Sequence, residues 1–482
     1  MAASPDHQAP SKPTYNLIAW LFLRAFGVIF LIAFYSFSRE ALGLIGSHGI
    51  QPVAELLVAA NAQLGATAYW VVPTVFWVNA SDITIQCVGW AGMVFSVLLI
   101  LNVLPRLSLT ALYVLYLSLV YGGQVFMTFQ WDMLLLETAL IAFFFIRYRT
   151  LGIWLLRWLV FRFIFVSGMV KIMSGDPSWW DLTALNYHFL TQPLPTPLAW
   201  YANYLPEMLL KFGTASTLFI ELVIPFLIFM TRRLRMVAAF AILLLQLTIM
   251  STGNYNFFNL TAIVLCLSLF DDAALQCLIP ARLLAHMQQR VLPKPPFMLM
   301  NILAAVFTVV TIFLSLVQFN QRFIGVFPAA SAAAVRVISP LMVVSTYGPF
   351  AVMTKKRHEI IIEGSNDGVT WREYHFKYKP GNIYRGPLWN TPLQPRVDWQ
   401  MWFAALGPVN ASPWFQRFLQ RLLQNEPAVT DLLLENPFPD LPPVFVRALF
   451  FDYRYTTNAE YKETGASWDR TLVGVYFPAA SL

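Results

Sequence analysis

Nine apolar runs fill the first 320 residues of this chain, near 17–36, 83–104, 107–128, 132–146, 151–173, 212–230, 236–252, 257–270 and 297–319. Most approach the roughly 20 apolar residues a helix needs to cross a bilayer, although the fourth and eighth are short. Hydrocarbon offers no hydrogen-bond partners, so runs of this kind fold as helices that satisfy their own backbone. The stretch 67–78 (TAYWVVPTVFWV) is too short to cross and reads as interfacial or re-entrant. Charged residues make up 12% of the chain, half of the roughly 25% usual in soluble domains. The sequence therefore predicts an α-helical multi-pass membrane protein of about nine spans.

Charge sets its expected orientation. Residues 1–350 hold 18 Lys/Arg and 12 Asp/Glu, whereas residues 351–482 hold 14 and 13. With nine spans, the N-terminal side collects Lys12, Arg106, Arg147, Arg149, Arg232, Arg233, Arg235, Arg282, Arg290 and Lys294. The opposite side collects Arg39, Lys211, Arg322 and Arg336. Ten against four predicts a cytoplasmic N-terminus by the positive-inside rule. That orientation puts the loops 37–82 and 174–211, and the region 351–482, outside the cytoplasm. The first apolar run is too long for a signal-peptide core and reads as a retained anchor. Cys87, Cys266 and Cys277 then lie in spans or on the cytoplasmic side, which argues against an extracytoplasmic thiol–disulfide role. No basic patch on a soluble domain supports nucleic-acid binding.

Past His358 the pattern changes to period two. Glu359 to Ser365, Asn366-Asp367-Gly368 and Val369 to Phe376 predict a hairpin, its tip explained by a type I′ turn. A second strand pair is expected at 444–456 and 467–477. Between them, Ser412-Pro413 reads as an N-cap and first helical position. Trp414, Phe415, Phe418, Leu419, Leu422 and Leu423 form one apolar face of that helix, for packing on the sheet or on a membrane surface. The chain thus divides into a polytopic domain, 1–350, and an extracytoplasmic α+β domain rich in β-hairpins, 351–482.

Common catalytic signatures are missing, including G-x-S-x-G, H-E-x-x-H, Walker A, G-x-G-x-x-G and C-x-x-C. The six histidines have no ligand spacing, so neither a metal nor a cofactor is expected. Ionisable residues inside apolar spans are expensive and imply partners or a water-filled cavity. Arg157, Arg162 and Lys171 share one span, Asp132 and Glu137 the preceding one, and Glu221 and Gln246 later ones. At 100° per residue Arg157 and Lys171 lie about 40° apart, while Arg162 is about 140° from Arg157. These residues read either as ion pairs that lock the bundle or as a polar cavity, for which Asp176 and Asp181 are further candidates. Lys171 is the sharpest catalytic candidate, because a buried lysine readily becomes a base.

After it runs an aromatic, proline-rich loop, Ser174 through Pro197. Trp179, Trp180 and His188 there, with Trp399 and Trp402 further on, are candidates for contact with a client protein; an interfacial belt explains the loop equally well. Asn254, Asn256 and Asn259 mark a break that such side chains could satisfy. Asn79-Ala80-Ser81 is a glycosylation sequon on the expected outer side.

Several blocks, in order and across almost the full chain, carry a resemblance: Gly46 to Ile50, Gln130 to Thr138, Ser174 to Pro197, Thr252 to Asn259, Glu363 to Gly368 and Asp398 to Phe403. In these blocks the chain resembles the lipase maturation factor family. The resemblance implies a multi-pass protein of the endoplasmic reticulum membrane that helps lipases, lipoprotein lipase among them, reach their active form. It also implies a luminal C-terminal domain, in agreement with the charge count. The lack of cysteine on that face departs from a redox role. The short ends point to a bacterial member, whose membrane would be the inner membrane and whose client need not be lipoprotein lipase. Ser167 to Ile172, with Asp176 and Trp179, is also similar to the transmembrane domain of vitamin K-dependent gamma-carboxylase, where a lysine matching Lys171 acts in the active site.

Two functions are therefore weighed. The first is a non-enzymatic folding factor for lipases or other secreted proteins, with membrane lipids as its surroundings. The second is a membrane enzyme acting on a lipidic or quinone-like molecule through Lys171. A transporter fits less well, because no internal repeat is evident.

Overall fold

The computed structural model of the chain describes residues 13–276, 298–325 and 329–481. Cys277, Lys12, Arg282, Arg290 and Lys294, used above for redox and orientation arguments, lie outside the described residues. Among the described residues, six helices are long and apolar enough to cross a membrane. They are α1 (Asn16–Ser38), α2 (Asp82–Ile100), α5 (Arg149–Met173), α6 (Glu207–Leu222, prolonged by a tighter turn to Phe229), α7 (Arg232–Thr252) and α9 (Met298–Phe323). The other three apolar runs also fold as helices: α3 (Pro105–Gly122), α4 (Gln130–Phe145) and α8 (Phe258–Cys266). They are shorter or more polar than a typical span. The stretch 67–78 forms only two single turns, Ala68–Val71 and Val75–Trp77.

The centre of the bundle is aromatic. Phe22, Phe26, Phe30 and Phe34 recur every four residues on α1 and touch in sequence, the outer pairs stacked and Phe26 edge-on to Phe30, because side chains at i and i+4 share one helix face. Tyr116 of α3 packs edge-on against Phe30 and Phe34. Small residues permit the close approach of α2: a side chain at Gly92 would meet the Phe34 ring at 2.2 Å. Outward faces of α2, α6, α7 and α9 instead carry exposed Val, Leu, Ile, Met and Phe, as helices bathed in lipid do.

The C-terminal region folds around a four-stranded antiparallel sheet of order β2-β1-β3-β4. Its strands are β1 (Arg357–Ser365), β2 (Arg372–Glu373), β3 (Phe445–Tyr455) and β4 (Trp468–Ala480). β3 and β4 match the expected strand pair. The first hairpin is looser than expected. β2 spans only two residues, and the tip is a wider loop in place of a two-residue type I′ turn. The Asp367 carboxylate accepts the amides of Thr370 and Val369 there. Those bonds, with the Ser365 hydroxyl, hold it well below the usual carboxylate range. Gly368 supplies the positive φ that the loop requires.

Two helices cover the sheet: α10 (Arg396–Ala404) and α11 (Pro413–Leu423). All six apolar residues on the predicted face of α11 are buried, although Ser412 makes no capping side-chain bond. Trp414 meets Phe126 of the membrane region at 5.5 Å, and Phe415 meets Tyr476 of β4 at 5.4 Å. The helix is thus sandwiched between sheet and bundle, and one hydrophobic core runs through both.

Candidate functional site

A dense group of buried polar side chains lies at the seam between bundle and C-terminal region. Asp132 opens α4 with its side chain wholly excluded from solvent, and so is Arg396 at the start of α10. The Arg396 guanidinium donates to both Asp132 oxygens at 2.7 and 2.9 Å. It also donates to the carbonyl of Phe126 at 2.7 Å. Tyr116 completes the carboxylate's shell with a hydroxyl donated at 2.5 Å. The planar fork of arginine suits this two-point grip, whereas a lysine could not provide it. The backbone amide of Arg396 donates to Glu40, just beyond α1, at 2.8 Å. Burial, outweighing that amide bond, pushes the Glu40 carboxyl up to about 7.

Two further clamps flank this one. Asn254, in the break between α7 and α8, accepts the amides of Asn390 and Thr391 at 3.0 and 3.1 Å. Its amide group donates to the carbonyls of Leu388 and Pro195. The asparagine thus joins three segments, beyond satisfying the local break; Asn256 does the local work by accepting the Phe258 amide. On β1, Arg357 donates to the carbonyls of Leu190, Gln192 and Pro193 at 2.6 to 2.9 Å and to Glu359. Trp402 Nε1 donates to the Thr191 carbonyl at 2.8 Å. The aromatic loop is therefore held from above by the C-terminal region.

Inside the bundle the span charges singled out in the sequence also have hydrogen-bond partners. Arg162 donates to Glu137, which also accepts the Tyr347 hydroxyl and the Ser345 amide. Arg157 donates to the Ser268 carbonyl at 2.9 Å and faces the Tyr15 ring. Lys171 donates to both oxygens of Glu221 at 2.8 and 2.7 Å and to the Ser167 carbonyl at 3.1 Å. These contacts occupy all three of its donors. The sequence-derived polar residues therefore do not converge on one cavity. Asp132, Glu137 and Lys171 stand in three separate pairs.

Asp176 caps the turn at Pro177–Trp180 by accepting the Ser178 amide, and it accepts the Met353 amide at 2.6 Å. Burial works to raise its pKa, yet the amide donors outweigh it and hold the carboxyl below the ordinary range. Asp181 is exposed. Of the aromatic candidates, Trp179, Trp399 and Trp402 are buried, whereas Trp180 is 62% exposed. His188 lies edge-on to Phe350, with Tyr255 at 3.4 Å. Burial and the charge of Lys171 push its imidazole down to about 4, so it is neutral near pH 7. Among the described residues no group of three His, Cys, Asp or Glu is placed to hold a metal ion.

Sequence reasoning missed Arg396, Arg357 and Glu40. One signal was available for the first: an aspartate buried in a span demands a cation.

Comparison with known proteins agrees with this architecture in both regions. Residues 17–277 match the model of the lipase maturation factor transmembrane domain, and residues 343–478 that of the lipase maturation factor C-terminal domain. Lipase maturation factor 2 of Rattus norvegicus is 32% identical, over 96% of this chain and 83% of its own length. The Homo sapiens protein of the same name is 32% identical, over 96% and 82%. Lipase maturation factor 1 of Mus musculus is 32% identical, over 97% and 88%. No solved structure matches the chain. With both regions matched and similarity along nearly the whole length, the chain is a multi-pass membrane protein that belongs to the lipase maturation factor family.

Proposed function

We propose that this chain is a membrane-embedded maturation factor that assists lipases, or related secreted proteins, in reaching their active form. The observation that carries the proposal is similarity to lipase maturation factors 1 and 2 over nearly the whole chain. The seam adds a physical rationale. Holding the C-terminal region rigidly against the bundle keeps one face next to the membrane, where a newly translocated client first emerges.

In this proposal all nine apolar runs cross, the nine-residue α8 together with the irregular segment before it and the turn after it to Leu269. The shorter α3 and α4, about 27 and 24 Å long at 1.5 Å per residue, come close to a hydrocarbon layer of roughly 30 Å. They sit inside the bundle, so their polar residues need not face lipid. Residues 1–350 form the membrane domain, and residues 351–482 with the loops 37–82 and 174–211 lie outside the cytoplasm. The membrane is that of the endoplasmic reticulum, or the inner membrane if the source is bacterial. Asn79 is exposed in one of those loops, so finding it glycosylated in microsomes would support this orientation, and finding it unmodified would count against it. The paired charges Asp132–Arg396, Glu137–Arg162 and Lys171–Glu221, with Arg157 on its carbonyl, hold the scaffold. Trp180 is the aromatic residue best placed to touch a client.

The test is co-expression with a secreted lipase in cells lacking their own maturation factor. Lipase activity per lipase molecule should rise with this chain and stay at background with empty vector. An unchanged specific activity, with the chain present in the membrane, would reject the lipase client.

A further inference from the structure

A narrow cleft opens between α5 and α9, lined by Arg162, Gln318, Phe319, Arg322, Phe323 and Tyr347 among others. Its inner space, about 20 Å³, admits one water-sized group, since a water needs roughly 10–15 Å³. Arg162 forms part of the wall with its side chain only 3% exposed, and its Nε has no hydrogen-bond partner. A buried, unpaired guanidinium N–H is unfavourable unless something accepts from it.

Glu137 does not supply the acceptor: its bonds come from Arg162 Nη2, the Tyr347 hydroxyl and the Ser345 amide. At the mouth, Arg322 in the last turn of α9 is exposed and has no ion pair among the described residues. None of the described residues that line the cleft is acidic. With Arg162 neutralised by Glu137, the cleft carries one uncompensated positive charge.

Beside the mouth stands an aromatic wall. Phe319 lies 5.2 Å from Phe323 and 6.5 Å from Phe165, and Phe161 continues it along α5 at 5.3 Å from Phe165. The outward face of α9 carries exposed Val309, Phe313 and Leu316, which suits contact with acyl chains.

We propose that this cleft binds the anionic headgroup of a lipid, with Arg322 pairing the charge, one headgroup oxygen entering to accept from Arg162 Nε, and the acyl chain lying along Phe165, Phe319 and Phe323. The small inner space fits an oxygen and excludes a whole headgroup, so the rest of the headgroup sits at the mouth. Basic pockets between membrane helices recognise lipid headgroups in this manner. A phosphodiester and a carboxylate share the required chemistry.

The full chain, purified in neutral detergent, is offered dioleoylphosphatidylglycerol, oleate or dioleoylphosphatidylcholine, and bound lipid is counted by native mass spectrometry. One or both anionic lipids should bind about fivefold better than phosphatidylcholine, as expected for about 1 kcal/mol per interfacial cation. Preference for phosphatidylglycerol assigns a phosphate headgroup, and preference for oleate a carboxylate. Arg322→Gln, an exposed change that leaves the fold intact, should abolish the preference, and Arg322→Lys should retain most of it. Lys211→Gln, at the start of another span and paired with Glu207, should leave the preference unchanged. Equal binding of phosphatidylcholine, or a preference that survives Arg322→Gln, would overturn the proposal.

Discussion

The inner and outer sides of the C-terminal region are built on opposite rules. Its inner side meets the bundle through the buried Arg396, Arg357 and Trp402 and through Leu388, Asn390, Thr391 and Gln394, all bonded to the membrane region. Its outer side ends in β4, an edge strand with Leu472, Val473 and Val475 exposed and no charge from Thr471 onward. Edge strands usually carry charges, prolines or bulges that discourage pairing. Here Pro478 and the register shifts against β3 serve that purpose. The difference teaches that specificity in this domain is spent on anchoring. The fold fixes where the domain stands and leaves its far edge plain.

The comparison breaks most severely at Arg396. Replacing it or Asp132 by alanine strands a buried charge, which costs about 3–5 kcal/mol. Protease should then release the C-terminal region from membranes. The pair Asp132→Leu with Arg396→Met removes both charges and should restore much of the loss. Failure of the paired change to improve on the single ones would show that the seam is not organised by this ion pair.

Lys171→Ala tests the bundle side of the comparison. It leaves Glu221 buried and unpaired, and should cost on the order of 3 kcal/mol in thermal stability, with Lys171→Met plus Glu221→Leu close to wild type. If that double variant is stable and matures lipase normally, the lysine is scaffold. A stable double variant that has lost all maturation activity would instead revive a chemical role.

Asn254→Ala removes acceptors and donors to Asn390, Thr391, Leu388 and Pro195 at once. The expected loss is about 1–3 kcal/mol, and hydrogen exchange should quicken at 388–391 before it does in β1 and β3. Unchanged exchange there would deny the asparagine its bridging role.

Glu40 sharpens the same seam through pH. Its carboxyl is raised to about 7 in the folded protein, against a usual value near 4.3 when unfolded. The folded state then binds more protons between those values, so stability should fall as pH rises from 5 to 7.5. Glu40→Gln should flatten that slope; an unaltered slope would place the titrating group elsewhere. The smallest expected effect on stability belongs to Trp180→Ala, within about 0.5 kcal/mol for an exposed site. The same change should weaken crosslinking to an immature lipase, and undiminished crosslinking would remove Trp180 from the contact surface.

Much of the fold was legible in the sequence because its signals are local. Apolar runs marked the helices, period two marked β3 and β4, and the spacing of Trp414, Phe418 and Leu422 marked the buried face of α11. The polar site was legible only in part. Asp132, Glu137, Arg162 and Lys171 stood out because charge is rare in apolar runs, but their partners lie 25 to 264 positions away. No periodicity encodes such pairings. Arg396 and Arg357 escaped notice for a different reason: they sit in a domain of ordinary polarity, where an arginine attracts no attention until the bundle is seen to close over it. The first hairpin was overread, because Asp367-Gly368 also suits a loop ordered by the aspartate's own carboxylate.

The central claim is that a C-terminal region locked to the membrane bundle is what matures the client. It is tested most directly by lipase activity per molecule in cells lacking their own factor, supplied with the wild-type chain or Arg396→Ala at matched membrane levels. The account predicts a gain with the wild type that falls to background with Arg396→Ala and returns with Asp132→Leu plus Arg396→Met. Full maturation by Arg396→Ala, while protease frees its C-terminal region, would contradict it.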